Sequence, residues 1–209
     1  APHVGHFLAH LFRIESECGN QAALIQDEDN TVLAFRNDFV MPLAKKYKAD
    51  AITDFDRPAL DAVVKSLRAA LNGVVQVPDD EYVTARAAAI VTARVPAPSG
   101  FIAAVRDANQ AWSKLEDAML LSAACESLEQ WCACVHHDPD FAPFASNSWV
   151  SFKQPARTNF AQLVHYKERE HGSHKAWAAE SAERRRRDGF SLTDPGFGLR
   201  RVLYEIDHC

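Results

Sequence analysis

The stretch DRPALDAVVKSLRAALNG, residues 56–73, constrains the fold more than any other part of the chain. Asp56 is placed to cap a helix, and Pro58 falls in the first turn, where a missing amide proton costs little. Leu60, Val63, Val64, Leu67 and Leu71 then share one stripe at helical spacing. Asn72-Gly73 suits a left-handed stop. A helix with both ends marked and one apolar side is stable only when that side is covered. The chain must therefore supply further helices to pack against it.

Several segments qualify. Asp79-Asp80 opens a helix through Val83, Ala87, Ile90 and Val91, with acid at the positive end of the helix dipole. Between Val4 and Ile25, the residues Val4, Phe7, Leu8, Leu11 and Phe12 follow the spacing of one helical face. Gly19-Asn20 is expected to split that stretch. TVLAFRNDFVMPLAKKYKA, from Thr31, carries Val32, Phe35, Phe39, Val40 and Leu43. Thr31 is a candidate cap, and Pro42 is expected to kink the segment or begin a new helix. Phe101 to His137 reads as a long helical region, bent or in two pieces, with Trp112, Leu115, Met119, Leu120, Leu128 and Trp131 on its apolar side. SWVSFKQP, from Ser148, suggests a short strand or an extended arm. Residues 161–188 are polar, and Leu199, Val202, Leu203 and Ile206 mark a last amphipathic helix. The expected fold is mainly α: an irregular helical bundle with an extended C-terminal arm and a terminal helix. Residues 1–150 form the body, and 151–209 the arm and terminal helix.

Charge narrows the range of partners. The net charge is −5 over 209 residues, of which 47% are apolar. Residues 151–209 hold 11 basic and 8 acidic side chains, and residues 1–150 the remaining 12 and 20. An acidic body disfavours broad nucleic-acid contact, which needs a basic face. No apolar run approaches the ~20 residues of a membrane span. The N-terminal residues lack a basic and then apolar secretory pattern, so no signal and no membrane role are expected. The five cysteines, an odd number at irregular spacing, fit a reducing cytoplasmic setting better than a disulfide framework.

The candidate chemistry is sparse. Cys125, Cys132, Cys134, His136 and His137 offer soft ligands to a transition metal. Yet Cys132 and Cys134 lie about 200° apart on a helix, and cysteines beside tryptophan are ordinary core residues. Cys134 near His136 is the only nucleophile–base pair suggested, and helix neighbours rarely align for attack. His6 and His10 share a helical face without the glutamate of a zinc protease motif. His165, His171 and His174 surround Gly172 in a polar segment that reads as a solvated turn. Asp27, Glu28 and Asp29 read as a helix end or loop. Arg184 to Arg187 form a collar, either solvated or set against an acidic surface or a nucleotide phosphate.

The tail RRRRDGFSLTDPGFGLRRVLYEIDHC, from Arg184 to Cys209, resembles the segment ahead of an iron–sulfur ligand motif in large flavin oxidoreductases. These are related to the small subunit of glutamate synthase, in the pyridine nucleotide-disulfide oxidoreductase superfamily. FVMPLAKKY from Phe39, LEQWCACVHHDP from Leu128 and WVSFKQPARTNFAQLV from Trp149 are also similar. The resemblance implies an N-terminal helical domain or fragment of an NAD(P)H-dependent enzyme containing FAD and a 4Fe-4S cluster. Cys209 would be one cluster ligand of an incomplete motif. The implied partner is the remainder of the flavoprotein or a separate subunit, and the chain by itself would not turn over substrate. The other expectation is a helical interaction or scaffold module without enzymatic activity.

Overall fold

The computed structural model describes residues 2–74, 79–154, 159–161, 163, 166–171, 174–178, 189–190 and 196–207. These are mainly helical, with two short strands. They fall into two compact units. One contains the residues up to Lys153 together with Leu199–Asp207, and the other Gln154–Gly198. The last helix therefore packs with the body rather than with the arm that precedes it in sequence.

The first unit begins with α1 (Pro2–Phe12) and α2 (Glu15–Glu28). The break falls at Arg13 and not at Gly19-Asn20, which lies inside α2. The Arg13 amide donates to the His10 carbonyl, and the Ile14 amide to the Ala9 carbonyl. This is the paired closure of a helix C-terminus, with Arg13 left-handed at φ 57° in the place glycine usually takes. Thr31 is not a cap. Helical backbone runs from Glu15 to Lys46, wound as a π-helix over Asp29–Leu33 and Phe35–Val40, and ends in α3 (Met41–Lys46). The wider turns change the side-chain phase. Thr31, Val32 and Leu33 are buried together, then Phe35 and Arg36, then Phe39 and Val40. Asp27, Glu28 and Asp29 thus sit within a continuing helix, correcting their expected place at an end.

Helix α4 (Arg57–Ala69) follows the sequence signals closely. The Ala59 amide donates to the Asp56 carboxylate at 3.2 Å, and Leu60, Val63, Val64 and Leu67 are buried. Gly73 is left-handed past its end. In α5 (Asp80–Val91), Asp79 is the cap, accepting from the Tyr82 amide at 3.0 Å. The region from Phe101 is in two pieces, α6 (Phe101–Ala108) and α7 (Asp117–His137), joined through a 3-10 turn at Gln110–Trp112. Helix α7 packs on α4 and α5 and supplies Leu120, Leu128, Trp131, Cys132 and Cys134 to the core.

SWVSFKQP is neither strand nor arm at its start. Helix α8 (Pro143–Ser148) leads into a 3-10 turn at Val150–Phe152, all of it buried. Aromatic packing explains this. Trp131 of α7 lies 5.9–6.3 Å, centroid to centroid, from the rings of Phe141, Phe144, Trp149 and Phe152. Such clusters bury large apolar areas, which outweighs the weak extended preference of the segment. Helix α9 (Leu199–Asp207) packs against α2 and this 3-10 turn.

The second unit holds an antiparallel hairpin, β1 (Lys167–His171) and β2 (His174–Ala178), where a solvated turn was expected. Its register pairs Glu168 with Trp177 and His171 with His174. Tyr166 packs on Trp177 with ring centroids 4.3 Å apart, and Lys175 pairs with Glu168 at 2.9 Å. Among the described residues no helix is long and apolar enough to cross a membrane.

Candidate functional site

Two features of the first unit go beyond ordinary core packing. The first is a carboxylate clamp built where α2, α5 and the 3-10 turn at Val150–Phe152 meet. Capping sets Asp79 and the start of α5, so Glu81 enters the interior two residues after the cap with its side chain only 4% exposed. The aromatic cluster holds Ser151 opposite. Its amide and hydroxyl both donate to Glu81 Oε1 at 2.7 Å. Arg200 of α9 completes the arrangement. Its Nε and Nη2 donate to the two oxygens of Glu28 at 2.8 and 2.9 Å, while Nη1 donates to Asp79 at 2.6 Å and to Glu81 Oε2 at 3.2 Å. A planar guanidinium suits this forked geometry; a lysine ammonium does not.

The electrostatics have a clear order. Burial pushes the Glu81 carboxyl above its usual range, and the Ser151 bonds and the Arg200 charge only partly oppose it. At Arg200 burial acts against the cation, but the Glu28 bonds and the Asp79 and Glu81 charges win and raise its pKa. The clamp therefore stabilises the guanidinium strongly, while Glu81 still bears a desolvation cost. Two more contacts fix the rest of α9. Tyr204 is buried, with the Arg36 guanidinium 5.1 Å from its ring centroid and that of Arg201 at 4.9 Å. Asp207 accepts from Asn37 at 3.2 Å and lies 3.6 Å from Arg36.

The second feature is the face that α1 shows to solvent. Gly5, His6 and Ala9 line a cleft of about 500 Å³ with Glu15, Cys18, Gly19 and Ala22 of α2. Small residues and a histidine thus form the inner side of the hairpin. The large residues point away: Val4 is 60% exposed, Phe7 63%, Leu8 43%, Leu11 58% and Phe12 67%. The helical stripe read in the sequence is real, but it faces water instead of the core. Leu24 of α2 is exposed as well.

The cysteine and histidine candidates separate. Cys132 and Cys134 are buried in α7, and Cys125 is half-buried. Burial pushes all three thiols up, Cys132 most of all, which disfavours the thiolate that a metal ligand or nucleophile requires. His137 bonds the Tyr47 carbonyl at 2.8 Å, and its ring stands perpendicular to that of His136 at 4.9 Å. Among the described residues no three His, Cys, Asp or Glu side chains stand together as a metal site. His10 contacts Glu15 at 2.9 Å, and His6 lines the α1–α2 cleft. His165, Gly172, Arg184 to Arg187 and the expected cluster ligand Cys209 lie outside the described residues.

Neither a family model, a curated protein nor a solved structure matches this chain.

Arg200, Glu81 and Ser151 were not legible as a group in the sequence. Glu81 reads there as one more acid at a helix start, and Arg200 as a polar residue of the last amphipathic helix. The available signal was weak: an acidic residue at the i+2 position from a cap, on the side of the helix that also carries Thr84 and Ala88.

Proposed function

We propose that this chain is a helical interaction module whose role is association, with the α1–α2 hairpin as its docking element. The observation that carries this reading is the outward apolar stripe of α1. Five large side chains at helical spacing, all on one face and all turned from their own core, form a contiguous patch of the kind that marks an interaction surface. The opposite face of α1 is the one turned to α2, where Ala9 is buried and Gly5 and His6 line an open cleft, so the stripe does not face that neighbour. The clamp around Arg200 has a structural part in this reading. It joins α9 to α2 and α5 and so stiffens the base from which the hairpin extends.

The test is a double variant, Phe7→Glu with Leu11→Glu. In dilute solution its circular dichroism and melting temperature should match the parent, because exposed substitutions typically change stability by less than about 0.5 kcal/mol. Binding of an apolar dye to the parent should be lost in the variant. A melting temperature lowered as far as by a core truncation would place the stripe inside the fold and overturn the reading.

A further inference from the structure

The stripe on α1 has a composition that selects among its possible occupants. Helix α1, PHVGHFLAHLF, contains no Asp, Glu, Lys or Arg. Across residues 2–28 the only basic side chain besides histidine is Arg13, set against Glu15, Glu17, Asp27 and Glu28. A helix that lies on a membrane carries lysine and arginine on its polar face, to snorkel and to meet anionic headgroups. Here that face is small and histidine-bearing and lines a cleft against an acidic helix. A strongly charged protein surface finds no complement on α1 either. An uncharged apolar stripe does complement another of the same kind, since two copies meet without like-charge repulsion.

The area agrees. At about 150–250 Å² for a buried aromatic, and somewhat less for an aliphatic, the exposed parts of Val4, Phe7, Leu8, Leu11 and Phe12 amount to on the order of 500 Å². Two copies would cover roughly 1,000 Å², the size of a weak, concentration-dependent protein–protein interface. A single helix of 11 residues spans about 16 Å, so an antiparallel two-fold pairing centred near Leu8 lets each stripe cover the other along its length.

We infer that the occupant of the α1 stripe is the α1 stripe of a second copy, giving a two-fold dimer joined through its hairpins. This rests on the docking reading above and adds the identity of the partner. The contact is isologous, with Leu8 near the axis and Phe7, Leu11 and Phe12 packing across it.

Two measurements on the full chain test it. Sedimentation equilibrium should give a mass approaching twice 23.2 kDa as concentration rises, and the Phe7→Glu, Leu11→Glu variant should stay at the single-chain mass. In a separate Leu8→Cys chain, mild oxidation followed by peptide mapping should find the two introduced thiols joined to each other. A Val74→Cys chain, exposed but on a different face, should not link in this way. A parent that stays at single-chain mass at every concentration, with the introduced thiol at position 8 freely labelled, overturns the dimer and leaves the docking reading intact. A single-chain mass with that thiol protected overturns both, because the stripe is then covered by its own chain. A dimer that survives the double variant also overturns the inference, since its interface lies elsewhere.

Discussion

Helix α9 carries Arg200, Tyr204 and Asp207 into contacts with the body, whereas α1 turns Val4, Phe7, Leu8, Leu11 and Phe12 away from it. Both are short, and neither length is enough for a stable isolated helix. Their charges make the contrast sharper. Helix α9 has arginine in its first turn and aspartate at its last residue, both opposed to the helix dipole. Its internal Arg201–Glu205 pair also runs in the less favourable direction. Helix α9 therefore depends on the partners it meets in the fold, and the clamp outweighs an unfavourable local sequence. Helix α1 has no Asp, Glu, Lys or Arg and invests its large side chains in a surface that the described residues leave open. One helix closes the structure; the other is suited to extending it.

The largest effect expected from breaking this comparison is at Arg200. Arg200→Ala leaves Glu28, Asp79 and Glu81 facing one another without a cation. Removing one member of a buried charge group typically costs 3–5 kcal/mol, and the partial exposure of Arg200 and Asp79 places the loss near the lower end, about 3 kcal/mol. Arg200→Lys should fall between the parent and Arg200→Ala, because one ammonium cannot reproduce the fork on Glu28. Urea unfolding measures all three. An Arg200→Ala chain as stable as the parent would show that the clamp does not hold α9.

A smaller effect should appear in pH dependence. Glu81 has a folded pKa above its unfolded one, so the folded state binds the proton more readily. Its contribution to stability is fully present below the ordinary carboxylate range and is lost as pH rises through the folded value. Stability measured by urea unfolding across this window should carry a downward component with rising pH that Glu81→Gln removes. Two unchanged slopes would mean that Ser151 and Arg200 cancel the burial cost at this site.

The body of the fold was readable because its signals were local. Asp56, Pro58 and the Leu60–Leu71 stripe specify one helix from its own residues, and Asp79 does the same for α5. The failures have physical causes of the opposite kind. Arg13 takes a left-handed position that sequence patterns assign to glycine, so the end of α1 was misplaced. The π turns from Asp29 shift side-chain phase in a way that a 3.6-residue period cannot follow, and so Thr31 looked like a cap. The burial of Val150–Phe152 depends on Trp131, far away in sequence. Periodicity found the α1 stripe but carries no sign for whether a stripe faces in or out. On the other side of α1, among the described residues, only the small Ala9 is buried. The clamp was the least legible part, because Glu28, Glu81, Ser151 and Arg200 come together only after four separate elements have packed.

The smallest effect concerns the turn that aims α1. A non-glycine residue in the left-handed region costs about 1–2 kcal/mol, while glycine adds roughly 0.5–1 kcal/mol of unfolded-state entropy to be lost. Arg13→Gly should therefore favour the closed hairpin by a net of about 0.5–1 kcal/mol. The gain is local, because Arg13 is exposed and its backbone bonds lie within the turn. Native-state hydrogen exchange is the suitable readout, since it resolves openings smaller than global unfolding. Amides of α1 should exchange roughly 2–5-fold more slowly in Arg13→Gly, with α4 and α7 unchanged. The same substitution bears on the contrast between the two helices. If α1 is pre-set by its turn, a better turn should also tighten whatever the stripe binds, whereas no change at Arg13 should alter the protection of α9. Faster exchange in α1 would mean that the Arg13 side chain, not the αL backbone, decides how the hairpin closes.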